Sequence, residues 1–304
     1  MRKRRHHYVP QWYLTPWSEN QRIYCLRNGQ IKPCGLASVG VEKDFYAVSD
    51  LTIKDIEFLR RGVIAQSPEG VRSIHESLLR EFARVAYANQ LKKARPGIKD
   101  EAKRTVREIV SNLDENYHES IEHDLQYSIG CMLSGSTEFF SDVSMAGSFL
   151  RALALFSLRT KKRREAMKRI RTPIPGVDID RVCGPMIHIL AINIGGSLLV
   201  DRARFRIVLL QNETRLPFIT SDQPVINIHE NRDSRGTPLE VEWYIPLSPK
   251  RAMLYLLAEN APTDKIKRIS EVEAQSYNAF MVKHHHDQVF ANSRECLSRI
   301  ALHV

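Results

Sequence analysis

Hydrophobic and polar positions follow three different rhythms along the chain. Through residues 1–50 short β-prone runs dominate, and no long helical pattern fits before residue 52. "IYCLRNGQIKP" places Asn28-Gly29 between two such runs, the signature of a tight type I′ hairpin, whose two turn residues need positive φ. "SVGVEKDFYAV" reads as a further extended segment ending near Tyr46. From about 52 to 171 apolar residues recur at helical spacing, first in "IKDIEFLRRGVIAQ". In "SPEG", Ser67 reads as an N-cap with Pro68 and Glu69 in the first turn of the next helix. That helix runs from Val71 to Leu91, with Ile74, Leu78, Phe82, Val85 and Leu91 near one face. "ARPG" breaks it. Two or three more helices follow through Leu158 into a cationic tail, and "RTPIPG" ends the block because its prolines cannot continue a helix. One further helix is expected at roughly 178 to 203. "FRIVLL", "LPFITSDQPVINI", "VEWYIPL" and "RAMLYLLA" then read as successive antiparallel strands. A helix near 270 to 281 and a strand around "HDQVFA" close the chain.

Strands, then helices, then strands predict an α+β protein, its N-terminal and C-terminal antiparallel strands forming a mixed sheet around a mostly helical centre. The 304 residues read as a single α+β domain. Residues 52–171 form a helical subregion inserted between the N-terminal strands (1–50) and the strand-rich part (178–304). A hydrophobic share of 43% with 26% charged residues is that of a folded globule and excludes a disordered chain. The net charge of +10 favours an anionic partner: nucleic acid, nucleotide or membrane headgroups.

Cysteines 25, 34, 131, 183 and 296 are odd in number and form no C-x-x-C pair, which argues against a zinc ribbon and a secreted disulfide framework. His6, His7 and Gln11 interrupt any apolar run behind the basic N-terminus, against a signal peptide. "CGPMIHILAINIGGSLLV" carries His188 and Asn193 and lies next to Asp180 and Asp201, so it reads as a buried helix and not a membrane span. A cytoplasmic location without membrane attachment is the expectation.

Several stretches carry candidate chemistry. "RKRRHHYVP" leads four cations into adjacent histidines. His-His-apolar-Val-Pro is similar to the opening of HNH nucleases, where one histidine binds the metal and its neighbour activates water. Neighbouring residues on a strand face opposite ways, which suits two such roles. The likeness stops there, because the next histidine after His7 is His75. The alternative is a structural motif in which one histidine meets a backbone carbonyl and Trp12, Tyr13 and Trp17 fill a core. "TSDQPV" centres on Asp222, read either as an Asx-type turn or as a ligand or orienting carboxylate for an N-terminal histidine. "RTKKRREAMKRIR", 159 to 171, is read either as a solvated helix face or as a phosphate grip. "DENYHESIEHD" holds Glu115 with His118 and Glu119 with His123, without the second E-x-x-H that a carboxylate-bridged metal pair requires, and reads as an exposed acidic helix face. "HHHD", 284 to 287, would put His284 and His286 on one strand face, a zinc-capable spacing or a basic strand end. There is no G-x-S-x-G elbow and no phosphate loop ending in G-K-[ST].

Taken together, "HHYVPQWYL", "VGVEKDFY", "SLRT", "FITSDQPV" and "PLSP" resemble a bacterial family known as domain of unknown function 4238, over nearly the whole length. The resemblance implies no established activity. It implies membership of accessory or mobile-element genes, a pointer toward phage defence or toxins.

The reading that follows is a nuclease or phosphodiesterase acting on RNA or DNA, as an anti-phage effector or toxin. Its catalytic residues would be His6, His7 and Asp222, with His6 and Asp222 holding a divalent metal, Mg²⁺ or Mn²⁺. Arg4, Arg5, Tyr8, Trp12, Arg159, Lys161, Lys162, Arg163 and Arg164 would bind the nucleic acid, the aromatic rings by stacking. An operon-encoded protein partner is part of this expectation. The alternatives are an enzyme on a nucleotide-like small molecule and a non-catalytic nucleic-acid-binding or sensor protein.

Overall fold

A computed structural model of the protein describes residues 5–43, 45, 51–94, 121–169, 174–229 and 238–301. The fold is α+β and divides into two compact units. One comprises Met1–His6, Glu42–Asp124 and Leu150–Ser197; the other comprises His7–Val41, Leu125–Phe149 and Leu198–Val304.

The second unit holds two sheets. Strands β2 (Arg22–Arg27) and β3 (Gln30–Gly35) form the expected hairpin, with Asn28 at φ 51 and Gly29 at φ 71 as a type I′ turn demands. The free edge of β2 pairs antiparallel with β11 (Val289–Ala291), which in turn pairs with β6 (Thr220–Ser221), giving the order β3-β2-β11-β6. The first hairpin of the chain and one of its last strands therefore share one sheet. The other sheet runs β10-β5-β9-β8-β7, built from Ile266–Ile269, Phe205–Asn212, Arg251–Leu257, Trp243–Ser248 and Ile226–Asn227. Its neighbours are antiparallel except β10, which lies parallel to β5. Strand alternation sends Val208, Leu210, Leu254 and Leu256 into one core, where α8 (Glu271–His284) adds Ala274 and Met281 and α9 (Arg294–Ala301) adds Leu297 and Ile300. Ser270 and Glu273 close a capping box that fixes where α8 starts.

The N-terminal stretch is not all strand. Pro10 sits at φ −62 and its carbonyl accepts from the N–H groups of Tyr13 and Leu14, so a one-turn helix α1 (Gln11–Leu14) replaces the expected extended chain. That turn drives Tyr13 and Leu14 inward, and Trp17 follows. The Tyr13 hydroxyl donates to the Pro246 carbonyl at 2.7 Å, and the Trp17 indole donates to the Phe218 carbonyl at 2.8 Å.

The first unit is chiefly helical. Thr52 and Asp55 form a capping box for α2 (Ile53–Phe58), which runs into a π-helical turn over Leu59–Ile64. Helix α3 spans Glu69–Ala94. Ser67 is not its cap: the hydroxyl donates to the Val63 carbonyl and accepts from Asn193 Nδ2. The buried stripe of α3 also differs from the expected one, since Ile74 is 51% exposed while His75, Leu79 and Phe82 are buried. His75 is held there by Asn193, Nε2 to Oδ1 at 2.8 Å. Residues 121–133 are helical (α4), followed by α5 (Val143–Leu158), α6 (Lys161–Lys168) and α7 (Ile179–Val200). At Gly195 of α7 an added Cβ would stand 2.7 Å from Arg151 Cα, so the two helix backbones touch there. Helix α7 has the length and apolarity of a membrane span, and 61% of its most apolar window is buried within the protein, as for a core helix. Asp55 pins the start of α7. Burial pushes its carboxyl up, but hydrogen bonds from Arg181, Thr52 and the Asp178 N–H outweigh this and hold it below the ordinary value.

Candidate functional site

Asp222 is fully buried, in a loop that Pro224 prevents from continuing as a strand. Its Oδ1 accepts from His286 N–H at 2.8 Å, and its Oδ2 accepts from the N–H groups of Asp287 and Gln288 at 2.7 and 3.1 Å. In return the Asp222 N–H donates to the Gln288 carbonyl at 3.0 Å. Burial pushes this carboxyl up, against the pull of the three backbone N–H groups and of nearby His285. The carboxylate is thus engaged in folding the segment 284–288. "HHHD" is accordingly not a strand: His284 ends α8, and the next residues turn so that three successive N–H groups face Asp222. His285 Nδ1 meets the Val282 carbonyl, and His286 Nε2 lies 3.9 Å from Asp287.

Gln288 extends the clasp. Its Nε2 donates to the Tyr8 hydroxyl at 2.9 Å, and its Oε1 accepts from Gly40 N–H at 3.3 Å. Val9 N–H donates to the Gly40 carbonyl at 3.2 Å, and Gly40, at φ +56, approaches so closely that a Cβ would lie 2.8 Å from Val9 Cβ. Three motifs far apart in sequence, around Tyr8, Gly40 and Asp222, meet in the second unit through one glutamine. Tyr8 is 1% exposed, so its ring presents no stacking face. His7, half-buried, accepts from Gln11 Nε2 at 3.3 Å, and Trp12 packs edge-on to Tyr13.

The first unit carries a different kind of site. Strand β1 (Arg5–His7) pairs with β4 (Val41–Lys43) in a two-stranded sheet. Glu42 and Lys43 of β4, with Phe45, face Lys161, Arg164, Glu165 and Lys168 of α6 across a cleft of about 150 Å³. Four cations and two carboxylates line it. The Arg164 guanidinium lies 4.8 Å over the Phe45 ring, a cation–π contact, and makes no ion pair among the described residues. Lys161 Nζ is 3.9 Å from Glu42, and Lys168 Nζ is 2.8 Å from Asp180. Helix α6 keeps these cations on one side because Met167 is its buried anchor. His6, half-buried on β1, lies one strand from β4; adjacent strands are spaced by about 4.8 Å. Arg5 is exposed on the same strand, and Arg163 is exposed on α6 beside half-buried Lys162.

Arg159, expected to grip phosphate, is 2% exposed. It pairs with Glu122 at 2.5 Å and lies over the Phe156 ring. Arg4, with Arg2 and Lys3, Tyr46, Glu115, His118, Glu119 and Arg171 lie outside the described residues. Among the described residues no group of three or more His, Cys, Asp or Glu side chains is placed to hold a metal ion. Asp222 spends three of its roughly four acceptor sites on the backbone N–H groups of residues 286–288. Gln288, Glu42, Lys43, Phe45, Glu165 and Lys168 were not singled out from sequence. Only the cationic run around α6 pointed to the cleft.

Among known proteins, a family model described as "Protein of unknown function (DUF4238)" matches residues 5–173 and 194–295. No curated protein and no solved structure matches the chain.

Proposed function

Because this chain belongs to the DUF4238 family, whose description names no activity, we propose a function from its own residues: it binds phosphate groups of RNA or DNA in the α6–β4 cleft and acts on them as a phosphodiesterase. The observation that carries this reading is the cleft, three lysines around a ring-supported guanidinium that makes no ion pair among the described residues, beside a strand whose partner bears His6. An arginine fork donates to two phosphate oxygens at once, and each lysine that neutralises a phosphate adds affinity by releasing counterions. The His6 imidazole is a group that can take and give a proton. His7 is its neighbour on β1, while Asp222 serves the fold. The cleft's size, about 150 Å³, lies below the roughly 300–1,000 Å³ of pockets that enclose whole ligands, which weighs against a second reading as an enzyme on a nucleotide-like small molecule.

The test pairs binding with turnover. Labelled single- and double-stranded RNA and DNA are titrated at several salt concentrations, then assayed for cleavage with and without Mg²⁺ or Mn²⁺. Arg164→Gln should weaken binding and flatten the salt slope by about one unit. His6→Ala should abolish cleavage and leave binding intact. Salt-sensitive binding with no cleavage by the wild type would leave a non-catalytic binder and remove the enzymatic half of the reading.

A further inference from the structure

We infer that the second unit carries a ledge for the unpaired bases of single-stranded RNA or DNA, made by Phe205, Trp243 and the arginines that lead into β5; it shares only the choice of ligand with the reading above. The sheet makes the first argument. Trp243 on β8 stands directly opposite Tyr255 on β9, and Phe205 on β5 is one diagonal step from Tyr255, its own partner being Leu257. Paired and diagonal neighbours share a face, so three rings cross three strands on the side away from Val208, Leu210, Leu254 and Leu256. Tyr255 is fully buried among its neighbours. Phe205 is stacked on it at 4.9 Å and 6°, Trp243 is tilted at 6.4 Å, and Phe140, from the 3₁₀ turn Glu138–Ser141, meets it edge-on at 5.9 Å. Phe140, Phe205 and Trp243 are each half-buried. Phe205 spends one face on Tyr255, so the exposure left to its ring lies on the far side. Because β9 separates β5 from β8, Phe205 and Trp243 stand on the order of 10 Å apart, far enough for each to take its own base.

The arginines are the second argument. Arg202 and Arg204 belong to a 3₁₀ turn, Arg202–Arg204, that runs straight into Phe205 and is tied to the end of β9 by the Ala258 N–H, which donates to the Arg204 carbonyl at 2.7 Å. Neither guanidinium has a carboxylate partner among the described residues. Arg204 is exposed, and Arg202 Nη1 is buried without a hydrogen bond. Asp201, which precedes the turn, and Glu259, which follows β9, pair with neither. Every base offers a π face, and single strands are held without sequence choice by stacking on aromatic side chains while cations track the backbone. A duplex keeps its bases stacked on one another and presents no free face to Phe205 or Trp243. Val200, 86% exposed just before the turn, makes a second copy of this chain the competing occupant. Two arginines without a counter-charge favour the nucleic-acid strand.

The experiment titrates a short single-stranded RNA, the same sequence as DNA, and the matching duplex onto the protein, following tryptophan emission and affinity together. Single strands should change the emission of the wild type and not that of Trp243→Phe, which keeps a ring at that place. Trp243→Leu and Phe205→Leu should each weaken single-strand binding about tenfold, the worth of one stacked base, at an unchanged salt slope. Arg204→Gln should lower that slope by about one. Lys32→Gln, an exposed cation on β3, should change neither. The duplex should bind less tightly and leave the emission unaltered. Melting temperatures equal to wild type qualify the Leu variants; where one melts early, the emission of wild type against Trp243→Phe decides alone. Single-strand binding lost in Arg164→Gln, with no emission change and full affinity in Trp243→Leu, would overturn the ledge and keep the cleft. Loss in Trp243→Leu with full affinity in Arg164→Gln would keep the ledge and overturn the cleft reading. Emission that shifts with protein concentration alone, with a dimer in sedimentation and no strand bound, would make this face a contact between copies and overturn the ledge. Binding of no nucleic acid overturns both readings.

Discussion

Asp222→Asn tests whether the carboxylate at the centre of the second unit is a clasp or a reactive group. The native oxygens accept three backbone N–H bonds, two at Oδ2 and one at Oδ1. Asparagine can keep its oxygen at the Oδ2 position, but its amide then faces the His286 N–H donor to donor. One hydrogen bond to a charged acceptor is lost, at about 1.5–3 kcal/mol, and the remaining two weaken to neutral ones, roughly half as strong. Relief of the buried charge returns part of this, so the net destabilisation should be about 3 kcal/mol. In a chain this long each kcal/mol lowers the melting temperature by about 2–4 °C, so a shift on the order of 10 °C is expected. Urea unfolding followed by circular dichroism would measure it, with Asp222→Ala, which strands all three donors, losing more. The folded Asn variant, assayed well below its transition, should bind RNA or DNA as the wild type does. Wild-type stability combined with lost binding or cleavage would refute the clasp.

Two more changes follow from other parts of the fold. Gly195→Ala forces a Cβ to within 2.7 Å of the Arg151 backbone, where no flexible side chain can yield, and should cost about 1–3 kcal/mol in unfolding experiments; an unchanged midpoint would mean that the two helices do not touch there. Glu273 is held at about 2, below its ordinary 4.5, first by Lys267 at 2.7 Å and then by the N–H and hydroxyl of Ser270. Its folded value is the lower one, so its stabilising contribution is complete above pH 4.5 and disappears as pH falls toward 2. Thermal melts across that range should fall more steeply for the wild type than for Glu273→Gln, and parallel curves would refute the assignment.

Local chemistry was readable where one short segment decides the outcome. Asn28-Gly29 specified its hairpin because positive φ is required at two adjacent positions, and few other residue pairs supply it. The stripe of α3 was misread by one residue because the pattern counts only apolar side chains. His75 occupies the centre of that stripe and is buried at the expense of Ile74, a choice made by Asn193 more than a hundred residues later. β10 escaped notice because its strand, "IKRI", is half cationic and owes its place to parallel pairing with β5. Asp222 could be read as a turn or as a ligand because the three N–H groups that decide the matter belong to residues 286–288. The cationic run of α6 was visible, but Glu42, Lys43 and Phe45 opposite it are placed by tertiary structure alone.

The sheet order β3-β2-β11-β6 has a consequence for biosynthesis. The hairpin leaves the ribosome well before its partner, because the strand that covers its inner edge is made some 260 residues later. At roughly 5–20 residues per second that edge stays uncovered on the order of tens of seconds, an interval in which a nascent chain is open to chaperones and to pairing with neighbours. Translation that stops before Val289 therefore leaves the second unit without its central seam, so truncated products should be recovered as aggregates or be degraded, however complete their helices.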